Sequence, residues 1–363
     1  MPIKWSDLVS LRPAPPHAMA TAVAASLSMG VPVGVGVATG NSAYGLTASL
    51  GAFTALYGPT LAWRPRLLRL VPVALGLCAS VAVGHSVAAH PWAGIAVVSA
   101  VAVVAVGVCL AVAIGPPGGY MFVLVCAVGT HMPPGHTGRT TALVAAGAAT
   151  ATLIATAVSR LAAARIRPPA EPGPSPKPVP ATPPPPARTG LRAVFGRRFG
   201  HDSPVVPAAL RAAAAAMLAG SVALLLGLDR PYWAAATAVA VAGPGLHVVA
   251  TVQRGIHRAA GTCVGVLIAA VILLANPRGM GLVVTVMALQ FAIENLVPRN
   301  YALGVSVITP LALLIAESVA AAPDRTRLLE TRPAATLVGC AAGMALTLLA
   351  RRRPDSPDAE ATT

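Results

Sequence analysis

Gly58-Pro59-x9-Arg69-x6-Gly76 and Gly243-Pro244-x9-Arg254-x6-Gly261 are one spacing written twice without a gap. Gly, Pro and Arg are common in this chain, so the spacing takes its weight from position: each copy falls in the same segment of its half. Around the first copy an apolar block covers residues 18–164, and around the second another covers 204–350. Residues 165–203 join them through a basic stretch containing Pro183-Pro184-Pro185-Pro186, which reads as an extended cytoplasmic linker. Residues 1–17 and 351–363 flank the pair as a short cytoplasmic N-terminal segment and a cytoplasmic tail. Two copies of one membrane unit about a shared axis are a common way to build a transporter.

The solvent of this chain is partly lipid. Hydrophobic residues make up 56% of it and charged residues only 10%, with a mean hydropathy of +0.73. A soluble domain is about 25% charged. No acidic residue occurs between Asp7 and Glu171, a stretch too long for a water-soluble domain to leave without one. The net charge of +15 raises nucleic acid as a partner, but the cations cluster at the ends of apolar runs and in the linker, without interleaved aromatics. Retention of Lys and Arg on the cytoplasmic side explains them better. The partners expected are therefore the lipid bilayer and no nucleic acid. Cys78, Cys109, Cys126, Cys263 and Cys340 all lie in apolar runs without a CxxC pair, and read as small buried hydrophobes rather than as metal ligands or a disulfide framework. No cofactor is expected.

Six apolar segments can be read in each half. In the first they lie near residues 18–39, 43–57, 70–89, 92–115, 119–132 and 140–163; in the second, near 205–228, 232–249, 256–274, 280–296, 301–320 and 334–350. Several are shorter than the roughly 20 residues of a perpendicular span, and the fifth is short enough to be re-entrant. The fold class expected is all-α integral membrane, about twelve transmembrane helices as two parallel six-helix repeats. With both termini cytoplasmic, Arg64, Arg66 and Arg69, then Arg160, Arg165 and Arg167, then Arg254 and Arg258, and finally Arg351 to Arg353 all fall inside. Arg325, Arg327 and Arg332 form the outlying basic cluster of an outer loop, partly offset by Asp324 and Glu330.

The second block carries the sharper chemistry. Tyr232-Trp233-x3-Thr237 opens a segment, Gly243-Pro244-Gly245 interrupts it, and Arg254-x3-Arg258-x2-Gly261-Thr262-x2-Gly265 follows. A proline removes a donor and frees a carbonyl, which at membrane depth is tolerated only where protein or a water-filled cavity takes it up. A plain kink or helix end is the competing reading. Arg254 and Arg258, four apart, share a helix face. They can draw in an organic anion or anchor the helix at the headgroups. Gly261-x3-Gly265 reads as a close-packing seam. Glu294 and Glu317 are the only acids inside apolar runs. Glu294, beside Asn295 and near Asn300-Tyr301, is the candidate for proton coupling, against an interfacial acid paired with Arg299. His85 and His247 read as satisfied interfacial histidines before proton relays, and Arg211 as a snorkelling cation.

Tyr232-Trp233, Thr237, Pro244, Arg254, Arg258, Gly261-Thr262 and Gly265 resemble the signature of the FUSC family, the fusaric acid resistance proteins and aromatic acid exporters. Asn300-Tyr301-Ala302 with Thr309-Pro310, and Arg332-x3-Thr336-x2-Gly339, are similar to its later segments; the last repeats the spacing Arg258-x3-Thr262-x2-Gly265. The resemblance covers about 205–350 well. It is weaker over the first half, where Gly51-Ala52 and Arg66-x2-Arg69 carry it. It implies an exporter of the bacterial plasma (inner) membrane, driven by the proton gradient, for aromatic carboxylic acids or related organic anions. Tyr232, Trp233, Thr237, Pro244, Arg254, Arg258, Asn300, Tyr301 and Thr309 would line the pathway, Glu294 would couple protons, and Gly261, Thr262, Gly265, Thr336 and Gly339 would pack helices. Two features depart from the family: many members carry a soluble domain between the halves, and many have an acid where Ala335 stands.

Enzyme chemistry is not expected. The chain has no HExxH and no GxSxG, its DxxD from Asp355 to Asp358 lies in the polar tail, and His131 and His136 are too few to hold a metal. A passive organic-anion channel or a structural membrane protein is the alternative. The oligomeric state, a homo-oligomer included, is left open.

Overall fold

The computed structural model describes residues 10–165, 203–243, 248–319 and 325–351. Residues 1–9, linker residues 166–202, residues 244–247 with Pro244, and residues 352–363 lie outside them. Among the described residues the chain is all helix, without strands. The first half holds α1 (Ala18–Ala38), α2 (Ser42–Ser49) running into a 3-10 helix (Leu50–Leu56), α3 (Trp63–Ser86), α4 (Pro91–Ala111), α5 (Tyr120–Gly129) and α6 (Thr137–Arg165). The second holds α7 (Val205–Leu225), α8 (Pro231–Ala242), α9 (Val248–Ala275), α10 (Met280–Leu296), α11 (Tyr301–Val319) and α12 (Arg325–Arg351).

Seven of these helices are long and apolar enough to cross a membrane: α1, α3, α4, α6, α7, α9 and α12. The others are shorter. Helix α8 has 12 residues and so rises about 18 Å at 1.5 Å per residue, against a hydrocarbon core of about 30 Å. Its environment compensates for its length, because every one of its residues is buried. A helix wrapped in protein does not have to match the thickness of lipid. The outer helices do meet it: Leu267, Val271 and Leu274 form an exposed apolar stripe on α9, of a kind water-soluble surfaces rarely show.

Several basic residues at the ends of apolar runs lie inside helices. Arg66 and Arg69 sit in the first turns of α3, which begins at Trp63, and Arg254 and Arg258 lie within α9, which begins at Val248. Arg327 and Arg332 belong to α12 rather than to an outer loop. Charge at a helix start mimics a loop in a hydropathy reading, and only the backbone separates the two.

The packing repeats between the halves. Within the first half α1 packs on α2 and α6, α3 on α5 and α6, and α4 on α5; within the second, α7 packs on α8 and α12, α9 on α11 and α12, and α10 on α11. Between the halves α4 meets α7 as α10 meets α1, and α5 meets α8 as α11 meets α2. The core therefore does not divide at the linker. One apolar cluster joins Val98, Ala102 and Val106 of α4 to the alanines of α7 and α8. The other joins Leu282, Val283 and Val286 of α10 to Met29 and Val33 of α1.

Small residues set how closely these helices approach. A Cβ at Gly261 would meet the Ala302 carbonyl, and one at Gly265 the Ser306 carbonyl and Thr309, across the α9–α11 crossing. Gly339 and Gly343 do the same for α12 against α8, and Gly147 for α6 against Ala48 of α2. In lipid, such close approach replaces the hydrophobic effect as the source of helix association.

Candidate anion-binding cavity

Helix α8 is the spine of the site. Pro231 opens it at a position where the missing amide donor costs nothing, and it ends at Gly243. A broken helix leaves carbonyls without partners, and here arginines take them. Arg254 Nη1 donates to the Ala240 carbonyl at 3.3 Å and Arg211 Nη2 to the Gly243 carbonyl at 3.5 Å. Arg211 is thus directed at a helix end, not only toward headgroups. The first half has a matching device. Arg66, also buried, donates through Nη2 to the Ala55 carbonyl at 2.8 Å, through Nε to Tyr57, and through Nη1 to Ala155 and Ser159. Ala55 and Ala240 stand at equivalent places, three residues before Gly58 and Gly243.

Arg258 is buried, too deep to snorkel to a headgroup. Its guanidinium donates to Thr237 Oγ1 of α8 at 3.4 Å, to Tyr301 Oη of α11 at 2.9 Å and to Tyr120 Oη of α5 at 3.2 Å. Arg254 lies over the Tyr301 ring, 5.0 Å from its centroid. Tyr301 therefore serves two guanidinium groups, one at its hydroxyl and one at its face. At the other end of α8, Tyr232 and Trp233 stack at 5.0 Å, and the buried Arg332 lies 3.5 Å from the Trp233 ring centroid.

Several of these groups line a cavity of about 660 Å³, in the usual range for small-molecule sites. It lies between the halves, lined by α1, the 3-10 helix, α4 and α5 on one side and by α8 to α11 on the other. Arg254, Arg258, Tyr301, Tyr232, Trp233 and Glu294 all line it. Glu294 Oε1 accepts a hydrogen bond from Gln290, one turn earlier on α10, at 2.9 Å. Most of the remaining wall is apolar. Among the described residues neither Arg254 nor Arg258 is paired with a carboxylate.

Three pathway candidates fall elsewhere. Thr237 and Thr309 are buried at helix crossings, Thr237 under Arg258 and Thr309 against Gly265, and neither lines the cavity. Asn300 caps α11: its Oδ1 accepts from the amides of Ala302 and Leu303 at 2.9 and 3.3 Å, while its Nδ2 donates to the Ser10 carbonyl. Pro244 and His247 are outside the described residues, as is the Glu317 side chain. Thr262 and Thr336 are buried with hydroxyls that have no hydrogen-bond partner. His85 has both ring nitrogens engaged. Nε2 donates to the Pro133 carbonyl, so Nδ1 accepts from Thr137.

Two cavity residues had no place among the sequence candidates. Gln290 stood one turn before Glu294, a polar residue on the same face of an apolar run, and that spacing was a usable signal. Tyr120 comes from the other half, in a segment without a motif, and only the fold brings it to Arg258.

Residues 217–346, from α7 to α12, match the family model described as fusaric acid resistance protein-like. Over this stretch the chain is similar to fusaric acid resistance proteins. The match spans α8, α9, Glu294 and Tyr301, the second-half wall of the cavity. The chain is also similar to the uncharacterized membrane protein YvaC of Bacillus subtilis (strain 168), 37% identical over 155 residues. That alignment covers 43% of this chain and 24% of YvaC, so the chain spans about a quarter of that relative. No solved structure matches. The apolar helices, with these similarities, make the chain a membrane protein.

Proposed function

We propose that the protein exports organic anions, aromatic carboxylates foremost, across the bacterial plasma membrane, as a duplicated six-helix unit with both termini cytoplasmic and with protons coupled through Glu294. The observation that carries this reading is the cavity between the halves, where Arg254, Arg258, Tyr232, Trp233, Tyr301 and Glu294 face a mostly apolar space. The matched packings of the two halves support the duplication. The match to a fusaric acid resistance protein-like family supports transport of an aromatic acid.

The chemistry follows from the groups present. A guanidinium binds a carboxylate through parallel hydrogen bonds, and the faces of Tyr232, Trp233 and Tyr301 suit an aromatic ring. The apolar wall removes water, which strengthens each of these contacts. Among the described residues Glu294 is the one acid facing the same space. Its carboxyl is where a proton entering down the gradient would be held as the anion leaves in exchange.

Uptake of a fluorescent aromatic acid from the medium into inside-out vesicles, with and without a proton gradient, tests this. Flux that depends on the gradient in the native protein and not in the Glu294→Gln variant is expected. Downhill flux unaffected by the gradient would replace the exporter by a passive channel, and absence of flux would leave a structural role.

A further inference from the structure

One face of α8 is a ladder of guanidinium groups. Arg230, Trp233, Thr237 and Ala240 are three, four and three residues apart, so they share a helix face. Arg230 stands at the first of these positions. Arg332 covers Trp233 at 3.5 Å, Arg258 donates to Thr237 at 3.4 Å, and Arg254 donates to the Ala240 carbonyl at 3.3 Å. These four arginines come from three helix regions and converge on one stripe about 15 Å long, at 1.5 Å per residue.

Arg332 differs from the others. It is buried, and among the described residues its Nε and Nη1 have no hydrogen-bond partner. Among the described residues no carboxylate pairs with it. A buried guanidinium with free donors is costly, and its stack on Trp233 leaves the edge donors unused. Trp233 itself lines the cavity, while Arg332 stands against the indole. Arg332 was assigned to an outer loop from sequence, and the proposed carboxylate site at Arg254 and Arg258 does not use it.

We infer that Arg332 is a second carboxylate station, which receives the aromatic anion after the Arg254–Arg258 station and passes it toward the Arg230 end of α8. This rests on the organic-anion reading of the cavity. Two stations on one rail keep an anion from settling too tightly at either, because leaving one site is offset by contacts at the next. Movement of the Trp233 indole opens the way between the cavity and the free donors of Arg332.

The test compares the native full-length chain with its Arg332→Met and Arg332→Lys variants in proteoliposomes, using labelled benzoate for equilibrium binding and for flux. The expected result is that Arg332→Met binds benzoate within about threefold of the native protein while its flux falls at least tenfold, and that Arg332→Lys recovers part of the flux. Native flux in Arg332→Met would overturn the inference and leave the cavity reading standing, as would equal loss in Met and Lys. If the native protein binds no benzoate, the cavity reading fails and this inference with it. Should Arg332→Met not fold, a protein carrying Trp5→Phe, Trp63→Phe and Trp92→Phe reports from Trp233 alone with Arg332 intact. Iodide should quench that indole saturably, with benzoate competing. Quenching that is absent or indifferent to benzoate would overturn the inference.

Discussion

The guanidinium of Arg258 and the phenol of Tyr120 meet across the boundary between the halves, with Nη2 donating to Oη at 3.2 Å. Arg258 belongs to the second half and Tyr120 to the first, so this contact helps tie the two walls of the cavity. Tyr120→Phe removes the acceptor and leaves a buried charged donor unpaired. Loss of a hydrogen bond to a charged group costs about 1.5–3 kcal/mol. Thermal unfolding in detergent should show a loss of that size, and an unchanged midpoint would remove the contact from the account.

Arg66 and Arg258 are both buried arginines, but only Arg258 lines the cavity. Arg66→Met leaves the carbonyls of Ala55, Tyr57 and Ala155 without their guanidinium donor. It should destabilise the protein by about 3 kcal/mol or more while leaving the benzoate affinity of the folded fraction unchanged. Arg258→Met should lower that affinity at least tenfold. Equal effects of the two variants on affinity would show that burial of charge, rather than position on the cavity wall, governs binding.

Glu294 gives export a pH dependence of known sign. Exchange takes a proton in at Glu294 as the anion leaves, so benzoate uptake into inside-out vesicles should rise when the lumen is made more acidic than the medium. Glu294→Gln should show no such rise. An equal rise in both proteins, or none in the native one, would remove Glu294 from the coupling.

Glycines at crossings and glycines in open space should respond in opposite ways. At Gly339 a Cβ would meet the Ala234 carbonyl and Thr237; at Gly281, within α10, it would meet nothing within 4 Å. Gly339→Ala should cost about 1–3 kcal/mol through overpacking. Gly281→Ala should be neutral or gain up to about 1 kcal/mol, since alanine favours the helix. Unfolding midpoints of the pair decide it, and equal midpoints would mean that α8 and α12 are not held at the distance described.

The order of the helices was legible because each apolar run is bounded by Gly, Pro or charge, as at Gly40 and His90-Pro91. The grouping of Arg254, Arg258, Tyr301 and Glu294 was partly legible through motif spacing. What was not legible has a physical cause. Alanine-rich runs look alike whether they face lipid or protein, so the full burial of α8 could not be read from its sequence. Arg332 looked like a loop residue because charge near a helix start carries no sign of burial. Tyr120 and Arg258 are 138 residues apart and share no pattern. Their meeting depends on how α5 and α9 are both placed beside α8.

The cavity between the halves as a seat for an aromatic carboxylate is tested most directly by a crystal structure grown with 4-bromobenzoate, through the anomalous signal of bromine. The account predicts one bromine peak inside the cavity, with the carboxylate on the guanidinium groups of Arg254 and Arg258 and the ring beside Tyr301. Bromine found only on the lipid-facing surface, with the cavity free of the compound at saturating concentration, would contradict it.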